Sequence, residues 1–337
     1  MATEPRVRPG PLNLITDVEG LNVGHATDEK AGTGVTTLLG HAPLLAAVDV
    51  RGGAPGVRET DTLSPEALIG HAHAIVLAGG SVFGLAAADA VAVALSARGV
   101  GLRLHAHTHA IPIVPSAVLH DLGGPGDKAW SEPPYRRLGR ESLEAATLKF
   151  TLGAVGAGRG ARAGLVPGGL GSASLELGPG LTVGALVAVN SIGSAYLPDG
   201  RTFWAWPFEI DEEFGGARPA PGTQVLEPAP QDSRLAQLGG PLPGTSTVLA
   251  IVATSTTLTR AEAKRLAMTA HDGIARAVRP SHTPFDGDVV FAVATGAGAR
   301  LPEAGRAAAL ARLGSAAADC LARAIARGVH AAARAVA

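Results

Sequence analysis

Short apolar, β-branched runs bounded by Gly, Asp and Pro punctuate the first half of the chain. On this pattern residues 12–18, 35–39 and 44–50 read as strands. Residues 74–78 (AIVLA) are continuously apolar over a short length, the signature of a buried strand. Gly79-Gly80-Ser81 then opens a helix over 82–97, closed by Arg98-Gly99. Residues 102–118 read as extended and interrupted by prolines. Residues 142–152 read as a helix with Glu144 in its first turns. After a Gly-rich stretch at 153–171 come two strands, 172–177 and 181–190, joined by Gly178-Pro179-Gly180.

The pattern breaks at 208–246, which is rich in Pro, Gly and acidic residues and has no sustained period. It reads as a long, exposed, mobile segment, and a structureless stretch of that length inside a compact domain needs a reason. Residues 247–253 (TVLAIVA) follow as a core strand. Thr259 and Glu262 have capping-box spacing and start a helix whose apolar face is Ala263, Leu266, Ala267, Ala270 and Ile274. Residues 288–294 form another strand. From 302 to the end the chain reads as Ala- and Arg-rich helix, broken near Gly314 and Gly328. Strands adjacent in sequence, mixed with helices, favour a layered α/β fold over a doubly wound one.

The 337 residues are expected to form a single domain, and 46% hydrophobic against 17% charged residues supply ample core. A formal net charge of −1 argues against a nucleic-acid partner, which demands a surplus of Lys and Arg. No apolar run approaches the length of a membrane span, and the start lacks the apolar segment of a secretory signal. The single Cys320 excludes a disulfide framework within the chain and a multi-Cys zinc site. The expectation is a cytoplasmic protein.

Candidate chemistry centres on Gly244-Thr245-Ser246-Thr247, where the polar segment runs into a core strand. If the chain breaks before Thr247, that residue carries its own α-amine, whose ordinary pKa of about 7.7–8.0 suits it as base for its own hydroxyl. An N→O acyl shift at Ser246-Thr247 would make the break. The plain alternative is a Thr that merely begins a strand. In Asp286-Gly287-Asp288 an extended backbone points both carboxylates one way, although Asp and Gly also favour a simple turn. Asn190 ends a strand, where its amide either donates to an oxyanion or caps the strand. The backbone N–H groups at Gly80 and Ser81 are candidate anion donors, against tight strand-to-helix packing. His105, His107 and His109 alternate, which on a strand would set three imidazoles on one face for a metal; a solvent-facing strand explains them as well.

The motifs ITDVEGLNVGH (15–25), TGVT (33–36), DVRGGAPG (49–56), AIVLAGGSVFGL (74–85), VPSAV (114–118), GGLGSAS (168–174) and VGALVAVNSIG (183–193) carry a resemblance. It continues in TVLAIVATSTTLTRAEAKRLA (247–267) and AHDGIARAVRPSHTPFDGDVVFAVATG (270–296). Together they resemble the self-cleaving hydrolases that include the L-aminopeptidase/D-esterases, β-aminopeptidases and nylon-oligomer hydrolases. The resemblance implies a four-layer α-β-β-α sandwich like that of N-terminal-nucleophile hydrolases. It also implies self-cleavage at Ser246-Thr247 into residues 1–246 and 247–337, with Thr247 as nucleophile. Asp286 and Asp288 fall on positions that orient the nucleophile, and Asn190 on the oxyanion contact. The implied substrates are small peptides or amides, the assembly a homo-oligomer, and no cofactor or metal is required. Three positions depart from the family pattern: His120 replaces a frequent Tyr, Pro167 a frequent Lys, and Ser246 a common Asn or Gly. His120 still offers a hydrogen-bond donor, while Pro167 has neither charge nor N–H. Two other readings stand beside this one: a catalytically silent relative serving as binder or assembly subunit, and a metal-dependent hydrolase built on the His105/His107/His109 strand.

Overall fold

Every residue of the strand Thr247–Thr254 is buried, so alternation sends its side chains into two different cores. Val248, Ala250 and Val252 enter one core, whereas Leu249, Ile251 and Ala253 enter the other. The computed structural model, which describes residues 7–105, 108–236 and 245–335, shows how the rest of the chain fills these two spaces.

The strands are β1 (Leu21–Asp28), β2 (Thr33–Val50), β3 (Gly56–Arg58), β4 (His71–Ala78), β5 (Ser116–Val118), β6 (Arg162–Ala163), β7 (Val166–Pro167), β8 (Gly169–Glu176), β9 (Thr182–Asn190), β10 (Thr247–Thr254) and β11 (Val289–Ala294). The helices are α1 (Ala86–Ala97), α2 (Tyr135–Glu144), α3 (Arg260–Ala277) and α4 (Arg306–Arg334). Nine strands share one sheet in the order β3-β5-β4-β2-β11-β10-β9-β8, with β1 also on β2; β6 and β7 form a separate hairpin. Strand β2 serves both halves. Its first part pairs with β1 and β4, and residues 45–50 pair with β11. The register slips between Leu39 and Leu44, a bulge of the kind that bends a strand.

The sheet therefore folds over itself. Leu21 and Val23 of β1, Leu38 of β2 and Ile75 and Leu77 of β4 share a core with Leu249, Ile251 and Phe291 from the other half. Outside one half lie α1 and α2, through Val91, Leu95, Tyr135 and Leu138. Outside the other lie α3 and α4, through Leu266, Ile274, Leu321 and Ile325. This is the expected α-β-β-α layering. The capping box at Thr259 forms, with Thr259 N–H donating to Glu262 at 2.7 Å and Glu262 N–H to the Thr259 hydroxyl at 3.3 Å.

Several local expectations are corrected. Residues 12–18 hold a 3-10 turn at Ile15–Asp17, because the Asp17 carboxylate accepts the N–H groups of Leu12 and Leu14 and closes a loop. The helix expected at 142–152 lies earlier, at Tyr135–Glu144, and Thr147 is extended, exchanging both backbone hydrogen bonds with Val23. Helix α4 runs unbroken through Gly314 and Gly328. Gly328 faces Gly171 of β8, where each absent Cβ permits the close approach; a Cβ on Gly171 would stand 1.8 Å from the Ala324 carbonyl oxygen. Within the segment expected to be exposed and mobile at 208–246, Phe214 lies in the α3/α4 core and Ser233 is buried, most of the other residues up to 236 are exposed or half-buried, and residues 237–244 lie outside the described residues.

Gly171→Ala is expected to lower stability by about 1–3 kcal/mol through overpacking. A urea unfolding midpoint unchanged from wild type would contradict this packing.

Candidate active site

Strand register builds the site. Thr247 at the head of β10 lies opposite Asn190 at the end of antiparallel β9. On its other side β11 runs parallel, so the turn 286–288 that feeds β11 reaches the same end of the sheet. Ser246 and Asp286 form a parallel bridge. The four residues expected to carry chemistry are thus neighbours, and Thr247, Asn190, Asp286 and Asp288 are each no more than 2% exposed.

The Ser246 carbonyl oxygen accepts two hydrogen bonds. One comes from Gly287 N–H at 2.8 Å, the other from the Thr247 hydroxyl at 2.5 Å. The hydroxyl is therefore held against the carbonyl of its own preceding peptide. A Cβ on Gly287 would stand 2.8 Å from Thr247 Oγ1 and 2.7 Å from the Ala54 carbonyl oxygen, so only glycine fits. The loop after β2 wraps this turn: Arg51 N–H donates to the Asp288 carbonyl at 3.0 Å and Ala54 N–H to that of Asp286 at 2.9 Å.

Each carboxylate has its own partners. Asp288 Oδ1 accepts Val248 N–H at 2.8 Å, while Oδ2 accepts His282 N–H at 3.1 Å and lies 2.7 Å from His282 Nδ1. Asp286 Oδ2 accepts the Thr283 N–H at 2.9 Å and hydroxyl at 2.6 Å, and Oδ1 only a long 3.4 Å bond from Ile192 N–H. Burial, together with the charge of Asp288, pushes Asp286 up to about 6.

Asn190 is fixed by Arg162 N–H donating to Oδ1 at 3.0 Å. Its Nδ2 donates to the carbonyls of His120 at 3.1 Å and Thr245 at 3.3 Å, one residue before the carbonyl expected to be attacked. Arg234 also holds Thr245, with Nη1 donating to its carbonyl at 3.2 Å and Nη2 to the carbonyls of Asn190 and Ser191 at 2.8 and 2.9 Å. Burial pushes this guanidinium down to about 10. A cleft of about 230 Å³ adjoins these groups, with His120, Asp121, Arg162, Asn190, Arg234 and Thr245 in its lining. Pro167 pairs with Arg162 in the β6–β7 hairpin, so the cations beside the cleft are Arg162 and Arg234.

One sequence expectation fails here. The Gly80 N–H is taken by the Asp121 carboxylate at 2.8 Å and the Ser81 N–H by the Leu119 carbonyl at 2.9 Å, so neither is available to an oxyanion. His105 and His109 lie outside the named strands, and Thr108 N–H donates to the His105 carbonyl at 3.3 Å. His107 lies outside the described residues. Among the described residues no group of three or more His, Cys, Asp or Glu side chains is placed to hold a metal. Gly287, Arg234 and His282 escaped the sequence reading. The Gly287 contribution is a backbone N–H, Arg234 lies in an aperiodic stretch, and His282 is distinguished only by its spacing from Asp288.

The pattern of peptidase family S58 matches residues 13–337. A Mycobacterium tuberculosis protein described as an uncharacterized aminopeptidase is 43% identical, over 94% of each chain. A 6-aminohexanoate-oligomer endohydrolase of Kocuria is 30% identical over 85% of this chain and 76% of its own. Among solved structures, the L-aminopeptidase D-Ala-esterase/amidase of Ochrobactrum anthropi, described as a variant of the Ntn hydrolase fold, superposes with a TM-score of 0.66. It is 22% identical and covers 96% of this chain and 88% of that one.

The raised Asp286 carboxyl has a cost in stability. Between about pH 4 and pH 6 the folded chain keeps a proton that the unfolded chain has released, so stability falls as pH rises through this window and stays lowered above it. Asp286→Asn is therefore expected to be more stable than wild type at pH 7.5, by on the order of 1–2 kcal/mol, with no gain below pH 4. Equal urea midpoints at both pH values would contradict the assignment.

Proposed function

The chain belongs to peptidase family S58, and from that premise we propose that it is a self-processing aminopeptidase or amidase with Thr247 as nucleophile. One observation carries this reading: the Thr247 hydroxyl and the Gly287 N–H converge on the Ser246 carbonyl. In self-cleavage, Thr247 Oγ bonds to the Ser246 carbonyl carbon. The Gly287 N–H is aimed where negative charge develops on the oxygen. The Ser246–Thr247 C–N bond then breaks, the proton from the hydroxyl ends on the departing amine, and an ester joins Ser246 to Thr247 Oγ. Water hydrolyses that ester, leaving a Ser246 carboxylate and a free Thr247 α-amine. The α-amine then serves as base for Thr247 Oγ against an external amide, through an acyl-enzyme that water releases.

Asn190 and Arg234 hold the chain before the bond at Thr245, and the adjoining cleft is where the acyl part of a small peptide or amide enters once this tail withdraws. The aminopeptidase and amide-oligomer hydrolase names of the relatives support substrates of that class. The exposed apolar residues Val82, Phe83 and Val93 support a homo-oligomer. No helix among the described residues is long and apolar enough to cross a membrane, in keeping with a cytoplasmic enzyme.

L-, D- and β-amino acid p-nitroanilides form the test panel. Wild type is expected to release p-nitroaniline from at least one of them, and Thr247→Ala from none. A Thr247→Ala variant with retained turnover would refute the nucleophile. Gly287→Ala is expected to slow self-cleavage by about 10²–10³-fold, because the added Cβ displaces the hydroxyl and its backbone donor. Cleavage at the wild-type rate, followed by intact mass, would remove Gly287 from the account.

A further inference from the structure

His282 contributes two donors to one carboxylate oxygen. Its backbone N–H and ring Nδ1 both meet Asp288 Oδ2, at 3.1 and 2.7 Å. To do so the residue adopts φ 55°, a left-handed conformation that a non-glycine residue holds only when its surroundings demand it. The ring is mostly enclosed and stacks edge-on with His271 of α3, centroids 4.9 Å apart. His271 in turn places Nε2 3.0 Å from the Asp49 carbonyl, and the Asp49 carboxylate is engaged by Arg51 at 2.5 Å and Lys264 at 2.6 Å. Asp49 is thus already neutralised by its own cations, and Asp288 is the carboxylate bonded to the His282 ring.

We propose that His282 is a positioning residue of this site, whose imidazolium keeps the negative charge of the carboxylate pair on Asp288 and leaves the shared proton on Asp286. Two buried carboxylates two residues apart do not both ionise cheaply. Asp288 receives three N–H groups, one from a ring able to carry charge. Asp286 receives only neutral donors, and its Oδ1, with a single 3.4 Å contact, has room for a proton. The charged and titratable groups facing His282 agree. Burial opposes its charge, but the hydrogen bond to Asp288 and the Asp288 charge raise the imidazole above the ordinary histidine range. Burial pushes His271 down to about 4, so it stays neutral and does not repel the ring. Arg234 faces the pair from the Asp286 side. An ionised Asp288 then anchors Val248 N–H, directly after the nucleophile, and holds the head of β10 in place. This deepens the reading of Thr247 as nucleophile and rests on it.

The test compares wild type with His282→Asn, which keeps a neutral N–H donor, and His282→Ala. With its cation gone the carboxylate pair holds protons to higher pH. His282→Asn is therefore expected to lose at least tenfold in kcat at pH 6, with KM within twofold, and to recover towards wild type at pH 8. His282→Ala, lacking the donor too, is expected to stay impaired at both. A pH profile parallel to wild type would overturn the proposal, since a purely structural role lowers the rate at every pH. A second readout needs no turnover: in ¹⁵N-histidine-labelled wild type, the imidazole in contact with the His271 ring is expected to keep its proton above the ordinary histidine range, and to lose this in Asp288→Asn. An ordinary titration there in wild type overturns the proposal even if the variants fail to fold. Wild type that neither cuts itself nor turns over an amide refutes the nucleophile reading instead, while the titration still decides the pairing.

Discussion

One backbone hydrogen bond joins the architecture to the chemistry: Gly287 N–H to the Ser246 carbonyl at 2.8 Å. It exists because β11 lies parallel to β10 and enters one turn before pairing begins. It also requires residue 287 to lack a side chain, since a Cβ there would occupy the space beside Thr247 Oγ1. The same peptide turn carries a carboxylate on either side, so the Gly287 donor, the two acids and Thr247 are spaced by the backbone rather than by flexible side chains. Such spacing suits catalysis, where small misplacements are costly.

The rest of the fold keeps that end of the sheet rigid. Strand β10 is buried on both faces and hydrogen-bonded on both edges, between β9 and β11. The long β2 spans both halves of the folded sheet, and the glycine contacts of α4 with β8 bring that helix close against the sheet. Loop 51–54 closes over the Asp286–Asp288 turn from the far end of β2. Asp286 is buried beside the charge of Asp288, which pushes its carboxyl up to about 6 and lowers stability above that pH.

Core strands were legible in the sequence because continuous apolar runs such as 247–253 have few alternatives, and the α3 start was legible because its cap is local. The reading failed where a tertiary contact overrides local pattern. The apolar run 12–18 becomes a loop around Asp17, and the glycines of α4 mark close packing instead of helix ends. Motif and resemblance point to Thr247, Asn190, Asp286 and Asp288, and strand register brings them together. The anion-donor role of Gly80 and Ser81 failed because their donors are consumed by partners far along the chain. Gly287 contributes a backbone N–H, Arg234 meets carbonyls 11 to 44 residues away, and His282 meets a carboxylate six residues on, and no motif marks these pairings.

The central claim is that the Ser246 carbonyl, and no neighbouring one, is the bond presented to a hydroxyl. The most direct measurement is the N-terminal residue of the small fragment of the purified protein, read by peptide mapping together with intact mass. The account predicts a 91-residue fragment whose free α-amine is on Thr247, beside a 246-residue partner ending at Ser246. A fragment beginning at Thr245 or Ser246, or a chain that stays at 337 residues after prolonged incubation, would contradict it.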